Sequence, residues 1–248
     1  MPLRFSSCTF GYRRKHPVLR DLDCDLPTGR TVFLGPNGAG KSTVLGLGAS
    51  ALLPVSGRVG YRRMRTDDRR TLREYRRRVA WMPQHLTTVP GLTARDQVAY
   101  AGWLKGMSRA EAWDGALDAL RRVEMDESAD RRVTELSGGQ QRRVGVAEAL
   151  VHGAEVLLLD EPTVGMDPRQ RQVFHEVLGA LPADVHVVLS THDTADLDEV
   201  YDNVLVLQAG CLVFGGTVRE FLTHAEPGAA PGRRANSAYH SLTSGIER

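Results

Sequence analysis

The chain has 248 residues, 42% of them hydrophobic, enough to bury one substantial core. Its 32 Lys and Arg stand against 30 Asp and Glu, and the resulting formal charge of +2 gives no global excess of the kind that marks a nucleic-acid binder. Cys8, Cys24 and Cys211 have neither the even number of a disulfide framework nor the spacing of a zinc site, so a reducing compartment is expected. The most apolar stretch, 44–55, is broken by Gly, Ser and Pro and falls short of the ~20 residues a bilayer span needs. MPLRFSSCTF has no charged-then-apolar order, so no signal peptide is expected and the chain reads as cytoplasmic.

In chain order, alternating apolar residues at Leu3, Phe5 and Phe10, followed by the turn-like LPTGR at 26–30, predict strands of an antiparallel opening sheet. Short apolar, β-branched runs then recur: TVFL (31–34), VLLL (156–159), VHVVL (185–189) and VLVL (204–207). Such runs suit parallel strands buried on both faces. Each of the first three leads into a polar loop, the side of an open α/β sheet where ligands bind. The arginines clustered between 58 and 78 read first as the solvated face of a strand–helix connection, with a patch for phosphates or an acidic surface as the alternative. From 108 to 125 the period turns helical, with Ser108 and Glu111 as a capping box and Trp113, Leu117, Leu120 and Val123 on one face. A second helix follows Ser137, turns Val144, Ala147 and Val151 inward and ends at Gly153. Residues from about 87 to 152 therefore read as a mostly helical insertion. The Pro, Gly, Ala and Ser enrichment past Phe221 makes 226–248 a flexible tail, with Tyr239 and Leu242 as the last apolar residues able to dock.

GPNGAGKST (35–43) has the pattern of a phosphate-binding loop, after a predicted strand and before a predicted helix. The glycines let the backbone curl until successive N–H groups point at one centre, and the helix start adds its positive end. Lys41 then reaches the β- and γ-phosphates and Ser42 offers a hydroxyl to Mg²⁺. The nucleotide-binding candidates are Gly35, Pro36, Asn37, Gly38, Ala39, Gly40, Lys41, Ser42 and Thr43. VLLLDEP (156–162) sets two carboxylates just beyond a buried strand, a division of labour in which Asp160 holds the Mg²⁺ shell and Glu161 polarises the attacking water as general base. Gln84, after the strand-like VAW, is placed to reach the metal or the water. His192, in LSTHD, is placed to reach the γ-phosphate. Standing alone, each of these reads first as a surface or structural residue, and it is the phosphate loop that reverses the balance.

In LSGGQ (136–140), Ser137 and Gln140 make a second capping box, while Gly138 and Gly139 expose backbone N–H groups at a helix start. The chain offers no second Lys-bearing loop and no second carboxylate pair to go with it. This helix start is best used on the nucleotide of another copy.

Taken together and in this order, the motifs resemble the ATP-binding cassette (ABC) family of ATPases over about 3–222. The resemblance implies an α/β fold of the P-loop NTPase type: a parallel-sheet, RecA-like core, an N-terminal antiparallel β subdomain and an inserted helical subdomain, together spanning 1–225. It identifies GPNGAGKST as Walker A, Gln84 as the Q-loop, LSGGQ as the signature, VLLLDE as Walker B, GMDP (165–168) with its nucleotide-facing Asp167 as the D-loop, and His192 as the switch histidine. Tyr12, in FGYRR, matches the aromatic that stacks on adenine, or else packs at a strand end. Met166 stands where the family usually has Leu or Ala and conserves apolar volume. No catalytic position is missing. Implied are an ATPase with Lys41, Gln84, Glu161 and His192 in catalytic roles, and ATP with Mg²⁺ held by Ser42, Gln84 and Asp160.

The same resemblance implies partners. Two subunits, expected to be identical, pack head to tail so that Ser137, Gly138, Gly139 and Gln140 close over ATP in the opposite P-loop. A separate multi-span permease is expected to hold the cassette on the inner face of the cell membrane, and no nucleic acid is expected. Residues 90–112 and 190–222 are similar to stand-alone cassettes of bacterial exporters. The alternative is a soluble ABC ATPase of an assembly system such as iron–sulfur cluster biogenesis. A regulator without turnover is opposed by intact Glu161 and His192.

Overall fold

The structure, a computed structural model, describes residues 3–13, 16–194, 197 and 200–244. Period-two alternation of apolar residues builds the opening sheet from β1 (Leu3–Phe10), β2 (Leu19–Leu26), β4 (Ser56–Tyr61) and β5 (Met64–Arg65). Their order is β2-β1-β4-β5, antiparallel throughout. The inner face carries Leu3, Phe5, Leu22, Leu26, Val59 and Tyr61, all buried.

The second sheet holds the runs read as parallel strands. It consists of β3 (Arg30–Leu34), β6 (Val79–Met82), β7 (Val156–Asp160), β8 (His186–Thr191), β9 (Asn203–Gln208) and β10 (Cys211–Thr217), in the order β10-β9-β3-β8-β7-β6. Every neighbouring pair is parallel except β9 with the edge strand β10. Burial on both faces follows from side chains alternating across the pleat. Val32, Leu157, Leu159, Val187 and Leu189 join a helical layer on one side, while Phe33, Leu158 and Val188 join a second core shared with the opening sheet. Helix α1 (Lys41–Gly48) lies in that second core, with Val44, Leu45 and Leu47 fully buried.

The remaining helices are α2 (Leu72–Arg78), α3 (Ala94–Leu104), α4 (Arg109–Arg122), α5 (Gly138–Leu150), α6 (Pro168–Gly179), α7 (Val218–Leu222) and α8 (Arg234–Thr243). Both expected capping boxes form, Ser108 with Glu111 on α4 and Ser137 with Gln140 on α5. Two expectations are corrected. The inward face of α4 is Ala112, Ala116, Ala119 and Leu120, while Trp113 is 42% exposed under the guanidinium of Arg95, 4.0 Å above its ring. Small residues won that face because α3 comes close at Gly102, where a Cβ would lie 3.4 Å from the Cβ of Ala112 on α4. The tail beyond 225 holds α8, with Ala238 fully buried, Tyr239 and Leu242 packed on the core, and the Thr243 carbonyl accepting from Gln208 Nε2 at 3.3 Å. The helix begins just past the Pro- and Gly-rich stretch whose composition suggested flexibility.

Candidate active site

Four adjacent strands, in the order β3-β8-β7-β6, deliver the candidate residues to one edge of the parallel sheet. Lys41 follows β3, His192 follows β8, Asp160 and Glu161 end β7, and Gln84 follows β6. There a cavity of about 490 Å³ is lined by Tyr12, Val18, Pro36, Asn37, Gly38, Gly40, Lys41, Ser42, Thr43, Gln84 and Glu161. That volume lies within the range typical of small-molecule sites.

The cradle is backbone. Gly40 sits at φ 106° as the residue before α1, and no side chain caps the helix start. Gly35 touches β9, where a Cβ would lie 2.4 Å from the Leu207 carbonyl oxygen. An uncapped helix N-terminus reached through glycines fits the phosphates of a nucleotide. Lys41 Nζ, 4% exposed, donates to the carbonyls of Gly35 at 2.6 Å and Pro36 at 3.2 Å and lies 3.5 Å from Glu161 Oε1. Burial pushes its pKa down, and the Glu161 carboxylate opposes that shift.

Glu161 is where the other candidates converge. Its Oε1 also lies 3.4 Å from His192 Nδ1, and its Oε2 accepts from Gln84 Nε2 at 3.5 Å. The residue has φ 43°, a left-handed backbone that a non-glycine residue adopts at a cost of about 1–3 kcal/mol. Asp160, buried, accepts from Ser42 Oγ at 3.0 Å. Oxygen ligands from Ser42 and Asp160 fit the hard, water-retaining Mg²⁺ ion. Among the described residues no group of three or more His, Cys, Asp or Glu side chains is placed to hold a metal by itself.

Tyr12 is 67% exposed at the cavity mouth, its ring edge-on to Phe10 and its hydroxyl 3.4 Å from Thr43 Oγ1. Ala39 is buried behind the loop, its N–H donating to the Pro36 carbonyl. The structure does not bring Ser137, Gly138, Gly139, Gln140 or Asp167 to the cavity of their own chain. They gather elsewhere: Asp167 caps α6 by accepting the Gln170 N–H at 2.8 Å, and a Cβ on Gly139 would lie 3.3 Å from Gln170. Met166 is buried in the core, as its apolar volume predicts.

Two residues enter the site without having stood out in the sequence. Ser190, fully buried, donates to Asp160 Oδ1 and accepts the Glu161 N–H. Its place in LSTHD, two residues before His192, was the available signal. Arg142, on α5, donates to the Gln84 carbonyl at 2.7 Å and so ties the LSGGQ helix to the loop carrying Gln84.

The family model described as ABC transporter matches residues 19–164, more than half of the chain. Among curated proteins, the chain is 31% identical over 208 residues to an uncharacterised ABC transporter ATP-binding protein, YxlF, of Bacillus subtilis, covering 84% of this chain and 68% of that one. It is 35% identical over 216 residues to the methionine import ATP-binding protein MetN of Xanthomonas oryzae, covering 85% of this chain and 64% of the relative, just under two thirds. Among solved structures, the dimer of MJ0796, a bacterial ABC transporter cassette, superposes with a TM-score of 0.76 at 26% identity, covering 88% of this chain and 99% of that one. MJ0796 has also been solved as a dimer in a post-hydrolysis state with ADP and Pi. The phosphate cradle, Gln84, the LSGGQ turn and the carboxylate pair all fall inside the matched segment, and the chain belongs to the ABC transporter family as one of its ATP-hydrolysing cassettes.

Proposed function

We propose that the chain is the ATP-hydrolysing subunit of an exporter whose membrane-spanning part is a separate permease. The observation that carries this reading is the separation of two anion-seeking helix starts. One, at Lys41, opens into the cavity, and the other, at Gly138, stands away from it, with Gly139 next to Gln170 of α6. Two copies related by a two-fold axis put each Gly138 turn against the other's cavity. Export is supported by the similarity of residues 90–112 and 190–222 to stand-alone cassettes of bacterial exporters.

In this reading Lys41 and the loop N–H groups from Asn37 to Thr43 bind the phosphates, and Tyr12 stacks on the base. Ser42, Asp160 and Gln84 would hold Mg²⁺, which when bound neutralises charge on the phosphate oxygens. Glu161 takes the proton of the attacking water at its carboxylate. Lys41, His192 and Gln84 around that carboxylate set its orientation. Ser137, Gly138, Gly139 and Gln140 of the second copy close over the γ-phosphate and exclude water. When that phosphate leaves, their charged target is gone and the dimer opens.

The test takes Glu161→Gln, which is expected to keep ATP but turn it over slowly. With ATP and Mg²⁺ it is expected to elute as a dimer in gel filtration, and a monomer at saturating ATP contradicts the sandwich. Tagged wild-type protein from gently solubilised membranes is expected to bring down a multi-span protein in near-equal amount. Recovery with soluble partners alone replaces the transporter reading with an assembly ATPase. Direction is read from which side of the membrane accumulates cargo in vesicles holding the purified complex.

A further inference from the structure

The C-terminal helix α8 takes no part in the chemistry above, and none of its residues lines the nucleotide cavity. It is nevertheless seated on the molecule: Ala238 is fully buried, Tyr239 and Leu242 pack on the core, and the helix lies against α7 and β10. Its last residue reaches further, because the Thr243 carbonyl accepts from Gln208 Nε2 at 3.3 Å. Gln208 ends β9, at the head of the turn into β10, and its Oε1 is buried without a hydrogen-bond partner among the described residues. The bond to Thr243 is thus the one that orients this amide.

That turn backs the phosphate loop. Its central residues, Ala209 at φ 48° and Gly210 at φ 79°, both take the left-handed backbone that a tight I′ hairpin requires. Gly210 donates its N–H to the Ala39 carbonyl at 3.0 Å. A Cβ on Gly210 would lie 2.1 Å from the carbonyl oxygen of Val18, which lines the nucleotide cavity. Just before the turn, Leu207 touches the loop at both ends: its carbonyl oxygen lies 2.4 Å from where a Cβ on Gly35 would stand, and its Cδ2 3.5 Å from one on Gly40. Gln208 therefore sits between contacts to the start, middle and end of the cradle, and its side chain carries them on to α8.

We propose that Gln208 is a positioning residue for nucleotide binding, through which docked α8 holds the phosphate loop in its curled form. The cradle must keep Gly38 at φ 82° and Gly40 at φ 106° for its N–H groups to face one centre. Glycine loses more conformational freedom than any other residue when it is fixed, so a loop already held from behind has less ordering left to do when phosphate arrives. Such coupling is reciprocal: the factor by which α8 docking raises nucleotide affinity is the factor by which nucleotide raises α8 docking. The inference rests on the phosphate loop as the nucleotide site and is independent of export and of the permease.

The test follows hydrogen exchange of the α8 amides in the full chain with and without saturating ADP, which fills the loop without drawing two copies over a γ-phosphate. ADP is expected to slow exchange across α8 by about 3- to 10-fold, the weight of one hydrogen bond. Gln208→Met keeps the length of the side chain but removes the donor and the unmet oxygen together. It is expected to raise the Kd for ADP by the same factor and to abolish the effect of ADP on α8. Its single-turnover rate at saturating ATP and its urea midpoint without nucleotide are expected to stay near wild type, a split that a purely structural residue would not give. Ala238→Glu, which drives α8 off the core, is expected to raise the Kd at least as much, and if it does not fold Gln208→Met carries the test by itself. Exchange in α8 that is indifferent to ADP, or Gln208→Met binding ADP like wild type, would overturn the proposal. So would loss of turnover at saturating ATP with the Kd unchanged. A wild-type chain that binds no ADP would remove the phosphate-loop reading itself, and this proposal with it.

Discussion

Ser190 and Asp160 are joined across the β7–β8 pair: the serine hydroxyl donates to Asp160 Oδ1 at 2.7 Å while accepting the Glu161 N–H at 3.0 Å. One buried hydroxyl therefore fixes two neighbouring carboxylates. Ser190→Ala leaves the Ser42 hydroxyl donating to Asp160 Oδ1 at 3.0 Å. The expected loss is about 1–3 kcal/mol of stability, the cost of an unmet buried partner, read as a lower urea midpoint. Turnover is expected to fall and the Mg²⁺ concentration for half-maximal activity to rise.

Lys41 and Glu161 make separable predictions although they lie 3.5 Å apart. Lys41→Ala is expected to abolish ATP binding in a filter or calorimetric assay, and normal hydrolysis by this variant contradicts its phosphate role. Glu161→Gln is expected to keep ATP affinity but slow single-turnover hydrolysis by about 10²- to 10⁴-fold, the usual effect of losing a general base.

Tyr12, exposed at the mouth of the cavity, tests base stacking. Removing an aromatic platform costs about 1–3 kcal/mol per stacked base. Tyr12→Ala is accordingly expected to raise the Kd for ATP by about 5- to 100-fold, while Tyr12→Phe stays near wild type. If both bind like wild type, the ring serves only its edge contact with Phe10.

Two groups on and beside α5 predict a compensated pH profile. Burial pushes Glu148 up from 4.5 to about 7, partly offset by the hydrogen bond from Gln97, and burial with help from Lys105 pushes His152 down from 6.5 to about 4. Between pH 4.5 and 6.5 the folded protein keeps a Glu148 proton that the unfolded chain has lost, so this group's contribution falls as pH rises, by about 1.4 kcal/mol per unit. His152 does the reverse: the unfolded chain holds the extra proton, so stability rises with pH over the same window. The two slopes cancel in wild type. Glu148→Gln is expected to expose the histidine slope, with urea midpoints climbing from about pH 4 to 6.5, whereas wild-type midpoints stay level with respect to this pair.

The parallel strands were legible because each is an unbroken apolar run, and the cradle because its spacing is chemical and local. Helix α3 was not singled out: Tyr100, Trp103 and Leu104 point outward while Ala94, Val98 and Gly102 point inward, so apolar residues surround it and its period blurs. Trp113 misled for a related reason, since hydrophobicity suggested burial where close helix approach required alanine. Ser190 went unnoticed because its one local signal, a place two residues before His192, does not reveal the Asp160 it bridges to on the neighbouring strand. That Lys41, Gln84, Glu161 and His192 belong to one pocket was legible as chemistry, but their convergence on the Glu161 carboxylate was not, because it depends on strand order, which no local pattern encodes.

The position of β3 has a consequence for how the chain acquires its shape. It is the strand that feeds the phosphate loop, yet its two neighbours are β8 and β9, with Val32 opposite Leu189 and Val204. A ribosome releases β3 long before either. Until then its apolar residues have no sheet to join, and closing loops of this length is slow. The nascent chain therefore carries an unpaired strand, with Val32, Phe33 and Leu34 uncovered, for most of its synthesis. The ATP pocket is among the last parts to form, and demand for a holdase chaperone should end only when residues near 208 have emerged.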